Sequence, residues 1–195
     1  NVGEKVILPF LQYHGIDHID GVFLSHPDTD HYSGILQMLE EKWITIDRLY
    51  LPEVGKESWK DFQTLLESVG DTKVQCVAKG DCWEQGAFSL TCLHPARGYE
   101  AESTAYSACY LLEEGAFSLL LTGDVEGEGE QLLTKELALR GIRKVNVLKV
   151  AHHGSKYSTS EEFLRELDAE VSVISCGRGN TYGHPHAETL KRLEE

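Results

Sequence analysis

No apolar run in this chain approaches the roughly 18–20 consecutive residues that a membrane-spanning helix requires. No signal-peptide pattern opens it either, because Asn1 leads straight into a mixture of polar and apolar residues. The chain is therefore expected to behave as a soluble piece. Its start at Asn1 rather than Met suggests a piece of a larger polypeptide. There is no internal repeat, low-complexity tract or linker rich in Pro, Gly or Ser, so nothing points to a solenoid or a tethered second unit. No Cys-x-x-Cys pair occurs, and the five cysteines (Cys76, Cys82, Cys92, Cys109 and Cys176) are odd in number. Neither a zinc ribbon nor a full disulfide framework is indicated. The cysteines read as small buried residues with one disulfide still open, so they do not report a compartment.

What remains is an ordinary globular composition, 41% hydrophobic and 26% charged over 195 residues, enough for one domain with a real core. Net charge is −14, which taken alone argues against a polyanionic partner. The distribution softens this. Residues 1–139 hold nine basic and 24 acidic side chains, whereas residues 140–195 hold nine basic and eight acidic. Several acids are also potential metal ligands, and bound cations would cancel part of their charge.

Periodicity predicts strands over Gly21–Ser25, Ile46–Leu51, Lys73–Val77, Phe88–Leu93, Ser107–Leu112, Phe117–Thr122, Val145–Ala151 and Val171–Ser175. Helices are predicted over Val6–Tyr13, Gly34–Glu41, Lys56–Val69, Glu126–Leu139, Ser160–Leu167 and Ala187–Leu193. Glu113-Glu-Gly115 marks a hairpin. Two packed sheets with helices outside satisfy this order.

Four polar clusters follow strand ends. Ser25-His-Pro-Asp-Thr-Asp-His31 places His26, Asp28, Asp30 and His31 within six residues. Imidazole with carboxylate suits Zn²⁺, Fe²⁺ or Mn²⁺, and the oxygen-rich set favours Mn²⁺ more than an all-His site would. Leu119-Leu-Leu-Thr-Gly-Asp124 presents one carboxylate after a Gly turn; beside the first cluster, Asp124 reads as a bridge between two metals. Val147-Leu-Lys-Val-Ala-His-His-Gly-Ser155 presents His152 and His153. Adjacent strand residues face opposite ways, so one of the pair is expected to ligate and the other to pack or hydrogen-bond behind it. Asn180-Thr-Tyr-Gly-His-Pro-His186 presents His184 as ligand, proton donor or phosphate contact, with Arg178 close by. His14, His18 and His94 lie outside these clusters and read as bystanders, and His186 as a surface residue.

In this order the clusters resemble the metallo-β-lactamase-fold hydrolases, whose signature is H-x-H-x-D-H followed by His, Asp and His at later strand ends. More closely, they resemble the C-terminal domain of the ComEC family of competence proteins. That resemblance rests on Phe23-Leu-Ser-His-Pro-Asp-Thr-Asp-His31 with Gly34, Leu121-Thr-Gly-Asp124, Leu148-Lys-Val-Ala-His-His-Gly-Ser155, Asn180-Thr-Tyr-Gly-His-Pro185 and Val6-Ile-Leu-Pro-Phe-Leu11. It implies a single α/β domain over residues 1–195, an αββα sandwich of two mixed sheets that lacks the first strands. It implies a membrane channel in the same polypeptide and single-stranded DNA as partner. The domain would be a nuclease on the extracytoplasmic side, degrading the strand that is not imported during transformation. Two departures stand out. Asp28 replaces the second signature His, and the stretch Ser103-Thr-Ala-Tyr-Ser107 offers only hydroxyls where a separate His is expected.

The expected chemistry is hydrolysis of a phosphodiester with one or two Mn²⁺ or Zn²⁺ ions. Asp30, His31, Asp124 and His152 or His153 would hold one position, and His26, Asp28 and Asp124 the other. Asp28 or Asp30 would take the water's proton, and His184 or the non-ligating member of the His pair, such as His153, would protonate the leaving oxygen. Lys149, Ser155, Lys156, Arg178 and Asn180 are expected substrate contacts. Two alternatives keep the residues and change the role: a metallohydrolase of small esters, lactams or lactones, or a non-catalytic metal- or DNA-binding module of a membrane channel.

Overall fold

The computed structural model describes residues 2–54, 62–102 and 104–195. Side-chain alternation along the strands assigns the layers. In β4 (Arg48–Pro52), Leu49 and Leu51 join Leu24, Tyr32, Phe62 and Leu65, whereas Tyr50 between them joins Val77, Leu90, Cys92, Ala108 and Tyr110. One face of this sheet therefore meets helices α2 (Thr29–Glu41) and α3 (Gln63–Ser68), and the other meets a second sheet. The second sheet obeys the same rule. In β8 (Cys109–Glu114), Cys109 and Leu111 face Leu133 and Leu137 of α4 (Gly127–Arg140) and Phe163 of α5 (Glu161–Glu166), while Tyr110 turns inward. The result is helices, sheet, sheet, helices. Aromatic rings fill the central layer: Phe23 stacks on Tyr50 at 4.2 Å, and Trp83 packs edge-on against Phe23 at 4.7 Å.

The smaller sheet, in order β2 (Val22–Phe23), β4 and β5 (Lys73–Val77), is parallel throughout its described strands. The expectation of two mixed sheets therefore holds for only one of them, because the connections between these strands run through helices rather than hairpins. A short parallel pair, β1 (His18–Ile19) with β3 (Thr45–Ile46), forms a separate two-stranded sheet. The larger sheet also contains β6 (Cys82–Gln85), β7 (Phe88–His94), β9 (Phe117–Leu121), β10 (Lys144–Lys149) and β11 (Asp168–Val173), in order β11-β10-β9-β8-β7-β6. It is antiparallel from β6 to β9 and parallel from β9 to β11. The predicted hairpin is present, with Glu114 paired to Phe117 and Gly115 at φ +58°.

Several boundaries differ from the sequence expectation. Helix α2 begins at Thr29, five residues before Gly34, so Asp30 and His31 lie in its first turn rather than in a loop. The N-terminal helical segment runs as a π turn, Gly3–Ile7, into α1 (Leu8–Tyr13). Strand β6 was not expected, since Cys82-Trp-Glu-Gln85 carries too few apolar residues to read as buried. β8 begins at Cys109 rather than Ser107, and β11 at Asp168 rather than Val171. Of the helix expected over Lys56–Val69, Gln63–Ser68 is observed, and the part including Trp59 lies outside the described residues. Helix α6 (Ala187–Glu194) closes the chain. Among the described residues no helix is long and apolar enough to cross a membrane.

Candidate metal centre

Three strand ends and one helix start deliver the polar clusters to a single edge of the sandwich. The first loop leaves β2, and the Ala108 amide donates to the Ser25 carbonyl at 2.7 Å, tying this loop to the entry of β8. His26 is fully buried there. Its Nδ1 lies 3.0 Å from Ser25 Oγ and 3.3 Å from Ser107 Oγ, whereas its Nε2 has no hydrogen-bond partner among the described residues. Asp28 is the extended N-cap residue of α2, and its Oδ2 lies 3.6 Å from His26 Nε2. Asp30 and His31 follow in the first helical turn.

Asp124 enters from β9 through Thr122 and Gly123. Thr122 Oγ1 donates to the Lys149 carbonyl at 2.6 Å, and Ser107 Oγ accepts from the Asp124 amide at 2.9 Å. Gly123 sits at φ +52°, and a Cβ there would stand 2.3 Å from Ser107 Oγ, so the turn needs glycine on both counts. The Asp124 carboxylate is buried and central. Its Oδ2 lies 3.2 Å from His31 Nε2, 3.2 Å from His153 Nε2, and 3.9 Å from the Nε2 atoms of both His26 and His152. Asp30 Oδ2 is 3.1 Å from His153 Nε2. Burial alone would push the Asp124 carboxyl up. Hydrogen bonds from His153 and His31 and the charge of Lys149 outweigh it and hold the group well below the usual carboxylate range. The same bond to Asp124 raises His153 to about 9 against the opposing effect of burial.

The His pair departs from the strand geometry expected of it. β10 ends at Lys149, and His152 and His153 form a tight turn at φ 46° and 55°. Both imidazoles therefore reach Asp124 instead of facing opposite ways. Their outer nitrogens differ. His153 Nδ1 is 2.7 Å from the Ser175 carbonyl, a neutral acceptor, whereas His152 Nδ1 is 2.9 Å from the Glu126 carboxylate. That bond is the main cause that raises the His152 pKa. The His184 ring stands 5.6 Å from that of His152 and 6.1 Å from that of His153, and its pKa is lowered, first by burial and then by the charges of its histidine neighbours. A cleft of about 680 Å³ opens over Asp28, Asp30, Asp124, His152, His153 and His184.

The expected substrate contacts divide. The Lys149 ammonium is turned inward, donating to the Gly123 carbonyl at 2.8 Å and lying 3.6 Å from Asp124 Oδ1. Ser155 is buried, and its Oγ accepts from the Tyr157 amide at 3.2 Å. Asn180 braces its own loop, with Nδ2 donating to the Gly177 and His184 carbonyls. Lys156 and Arg178 are exposed. His94 stays out of the site; burial lowers its pKa to about 4, and its Nε2 is 2.7 Å from the Ala105 carbonyl. Ser103 lies outside the described residues. Sequence reasoning missed two roles. Glu126 reads as an acidic helix start but turns to His152, and Ser107 reads as a strand residue but supports both His26 and Asp124. Only their positions near strand ends hinted at either.

A divalent cation fits this donor set. Two groups, His26–His31–Asp124 and Asp30–His31–His153, each bring their ligand atoms within 4.8 Å of one another. Of the buried side-chain atoms without a hydrogen bond among the described residues, two, His26 Nε2 and Asp124 Oδ1, belong to this centre. A buried imidazole nitrogen left unpaired is costly unless something binds it. The Asp124 carboxylate that raises the His153 pKa also supplies negative charge for a cation.

Comparison with known proteins places the chain in a family. Residues 3–178 match the family model of the metallo-β-lactamase superfamily. ComE operon protein 3 of Bacillus subtilis is 34% identical over 195 residues, covering all of this chain and 24% of that protein. Recombination protein 2 of Haemophilus influenzae is 32% identical over 197 residues, covering 99% of this chain and 22% of that protein. The chain thus spans about a quarter of the length of these curated relatives. Among solved structures, the metallo-β-lactamase fold protein YhfI of Bacillus subtilis superposes with a TM-score of 0.55 at 14% identity, covering all of this chain and 77% of that one.

Proposed function

The chain belongs to the metallo-β-lactamase superfamily, and from that premise we propose that it is a divalent-metal-dependent phosphodiester hydrolase acting on DNA. One observation carries the reading: four imidazole Nε2 atoms converge on Asp124 Oδ2 at the floor of an open cleft. The likeness to ComE operon protein 3 and Recombination protein 2 supports DNA as the substrate class in this reading. In that setting the domain degrades the strand that is not imported, on the extracytoplasmic face of a membrane channel formed by the same polypeptide.

Asp30, His31, His153 and Asp124 would hold one metal position; His26, Asp28 and Asp124 would hold the second, which has the Ser107 hydroxyl nearby in place of a further imidazole. Mn²⁺ or Zn²⁺ bound there would activate water and stabilise charge on the phosphoryl oxygens. The remaining work falls to the chain. Glu126 accepts from His152 Nδ1 and leaves Nε2 facing the cleft, from which it gives a proton to the leaving oxygen. His184 lines the same wall. Asp28 or Asp30 takes the proton of the attacking water. Lys156 and Arg178 contact backbone phosphates, whereas Arg140, Arg143 and Lys144 are engaged with Glu136, Glu166 and Glu170.

The test compares DNA, bis(4-nitrophenyl) phosphate and a chromogenic lactam as substrates, with Mn²⁺ or Zn²⁺ supplied. Cleavage of both phosphodiesters, abolished in Asp30→Ala, is expected. Turnover of the lactam alone would replace this reading with a small-molecule hydrolase, and tight metal binding without turnover would leave a binding module.

A further inference from the structure

The cleft has a rim that the hydrolytic groups do not use. Tyr182 is 77% exposed and lines the cleft beside His184. Its ring lies nearly parallel to the His184 imidazole, at 22° and 5.8 Å. The loop that carries it is held by Asn180, whose Nδ2 donates to the Gly177 and His184 carbonyls and whose Oδ1 accepts from the His184 amide at 3.0 Å. A large aromatic ring on a braced loop has lost much of its freedom without gaining burial. That arrangement favours a ligand with a flat face.

The rim continues from His184 through His186 to Lys156. The His186 ring sits 4.9 Å from that of His184, and its Nδ1 accepts from the Lys156 amide at 3.2 Å. Beyond it, Tyr157 is 71% exposed, with Lys156 Nζ 5.2 Å above its ring centre. The two stretches that build this strip contrast with the chain's net charge of −14. The protein has 32 acidic residues in 195, yet residues 145–160 and 171–187 contain none. These two stretches hold the His pair, Lys156, Tyr157, Arg178 and Tyr182.

We propose that Tyr182 and Tyr157, with Lys156 and Arg178, form a track for a single strand of nucleic acid leading into the cleft. Bases stack on the two tyrosine rings, and phosphates meet the two cationic side chains. A duplex keeps its base faces covered and cannot use the rings. Base–aromatic stacking is tolerant of sequence, so the track selects strandedness rather than sequence. The proposal rests on the phosphodiester reading above for the fate of the strand, but binding alone tests it.

The experiment measures fluorescence anisotropy of a labelled twelve-nucleotide dT strand, an abasic strand of the same length and a twelve-base-pair duplex, at one fixed salt concentration. The unaltered chain should bind the dT strand about tenfold more tightly than the abasic strand or the duplex. Tyr182→Ala and Tyr157→Ala should each weaken dT binding about tenfold and leave abasic binding unchanged, and Tyr182→Phe should restore it. Both rings are exposed, and thermal melts of the variants check that they fold. Equal binding of dT and abasic strands, preference for the duplex, or Tyr182→Ala binding dT as the unaltered chain does would each overturn the track. Hydrolysis of bis(4-nitrophenyl) phosphate by the unaltered chain separates the two ideas. Turnover without tyrosine-dependent binding sinks only the track; tyrosine-dependent binding without turnover sinks only the hydrolytic reading.

Discussion

Two groups of histidine and aspartate in this molecule look alike by composition. His18, Asp20 and Asp47 bring ligand atoms within 4.8 Å of one another, as do His26, His31 and Asp124. The first group is exposed on short strand ends, with His18 Nε2 3.4 Å from Asp47 Oδ2 and 4.0 Å from Asp20 Oδ1. Water solvates all three side chains there, and the pairing contributes little. The second group is largely buried, carries two polar atoms without hydrogen bonds among the described residues and gathers four imidazoles around one carboxylate. Proximity of donors is therefore the weaker sign of a cation site. Burial is the stronger one, because it makes an unpaired donor costly unless a cation satisfies it.

The largest expected effect that breaks this comparison is at its centre. Asp124→Asn should retain the fold but lower metal-dependent hydrolysis on the order of a thousandfold or more, with metal content falling in parallel by elemental analysis. Next, His26→Gln should remove one metal equivalent while the Asp30–His31–His153 side keeps its own; loss of all metal would show that the two positions do not fill independently. Glu126→Gln should lower turnover of DNA roughly tenfold to a hundredfold with metal stoichiometry unchanged. The loss should be smaller for bis(4-nitrophenyl) phosphate, whose leaving group needs no proton, and equal losses on both substrates would remove His152 as the donor.

His94 sharpens the contrast between two buried histidines. Its pKa is lowered from 6.5 to about 4 in the folded state, so the folded chain binds fewer protons between these values than the unfolded chain does. Its stabilising contribution is complete above about pH 6.5 and is lost as pH falls through 4, to the extent of about 3 kcal/mol. His94→Gln should flatten the fall in melting temperature between pH 6.5 and 4, and an unchanged slope would assign it to other groups. The smallest effect belongs to the exposed cluster. His18→Ala combined with Asp47→Ala should shift stability by less than about 0.5 kcal/mol and leave metal content unaltered.

Much of the fold was legible from local pattern. The apolar runs at Ile46–Leu51, Lys73–Val77, Phe88–Leu93 and Phe117–Thr122 correspond to observed strands, because their alternation or continuity is a property of adjacent residues. Strand β6 escaped, since an edge strand with one partly buried residue in four leaves little apolar signal. The early start of α2 escaped too. Its first turn is built from Thr29, Asp30 and His31, polar residues outside the apolar period, of which His31 reaches Asp124. In the site, the residue types and their position after strands were visible, whereas the direction of each side chain was not. Lys149 reads as a surface cation but bonds inward, and Asn180 reads as a substrate contact but braces its loop.

Short-range pattern by itself determined that four polar clusters follow strand ends and that their side chains are of metal-binding type. Only the tertiary structure decided that residues 26, 31, 124, 152 and 153 share one centre, that both members of the His pair face it, and that Ser107 and Glu126 support it. The physical reason is range. Periodicity and turn chemistry act within a few residues, but convergence on Asp124 depends on the register of β9 against β10 and on the packing of two sheets. Those contacts join residues up to 122 positions apart, as between His31 and His153.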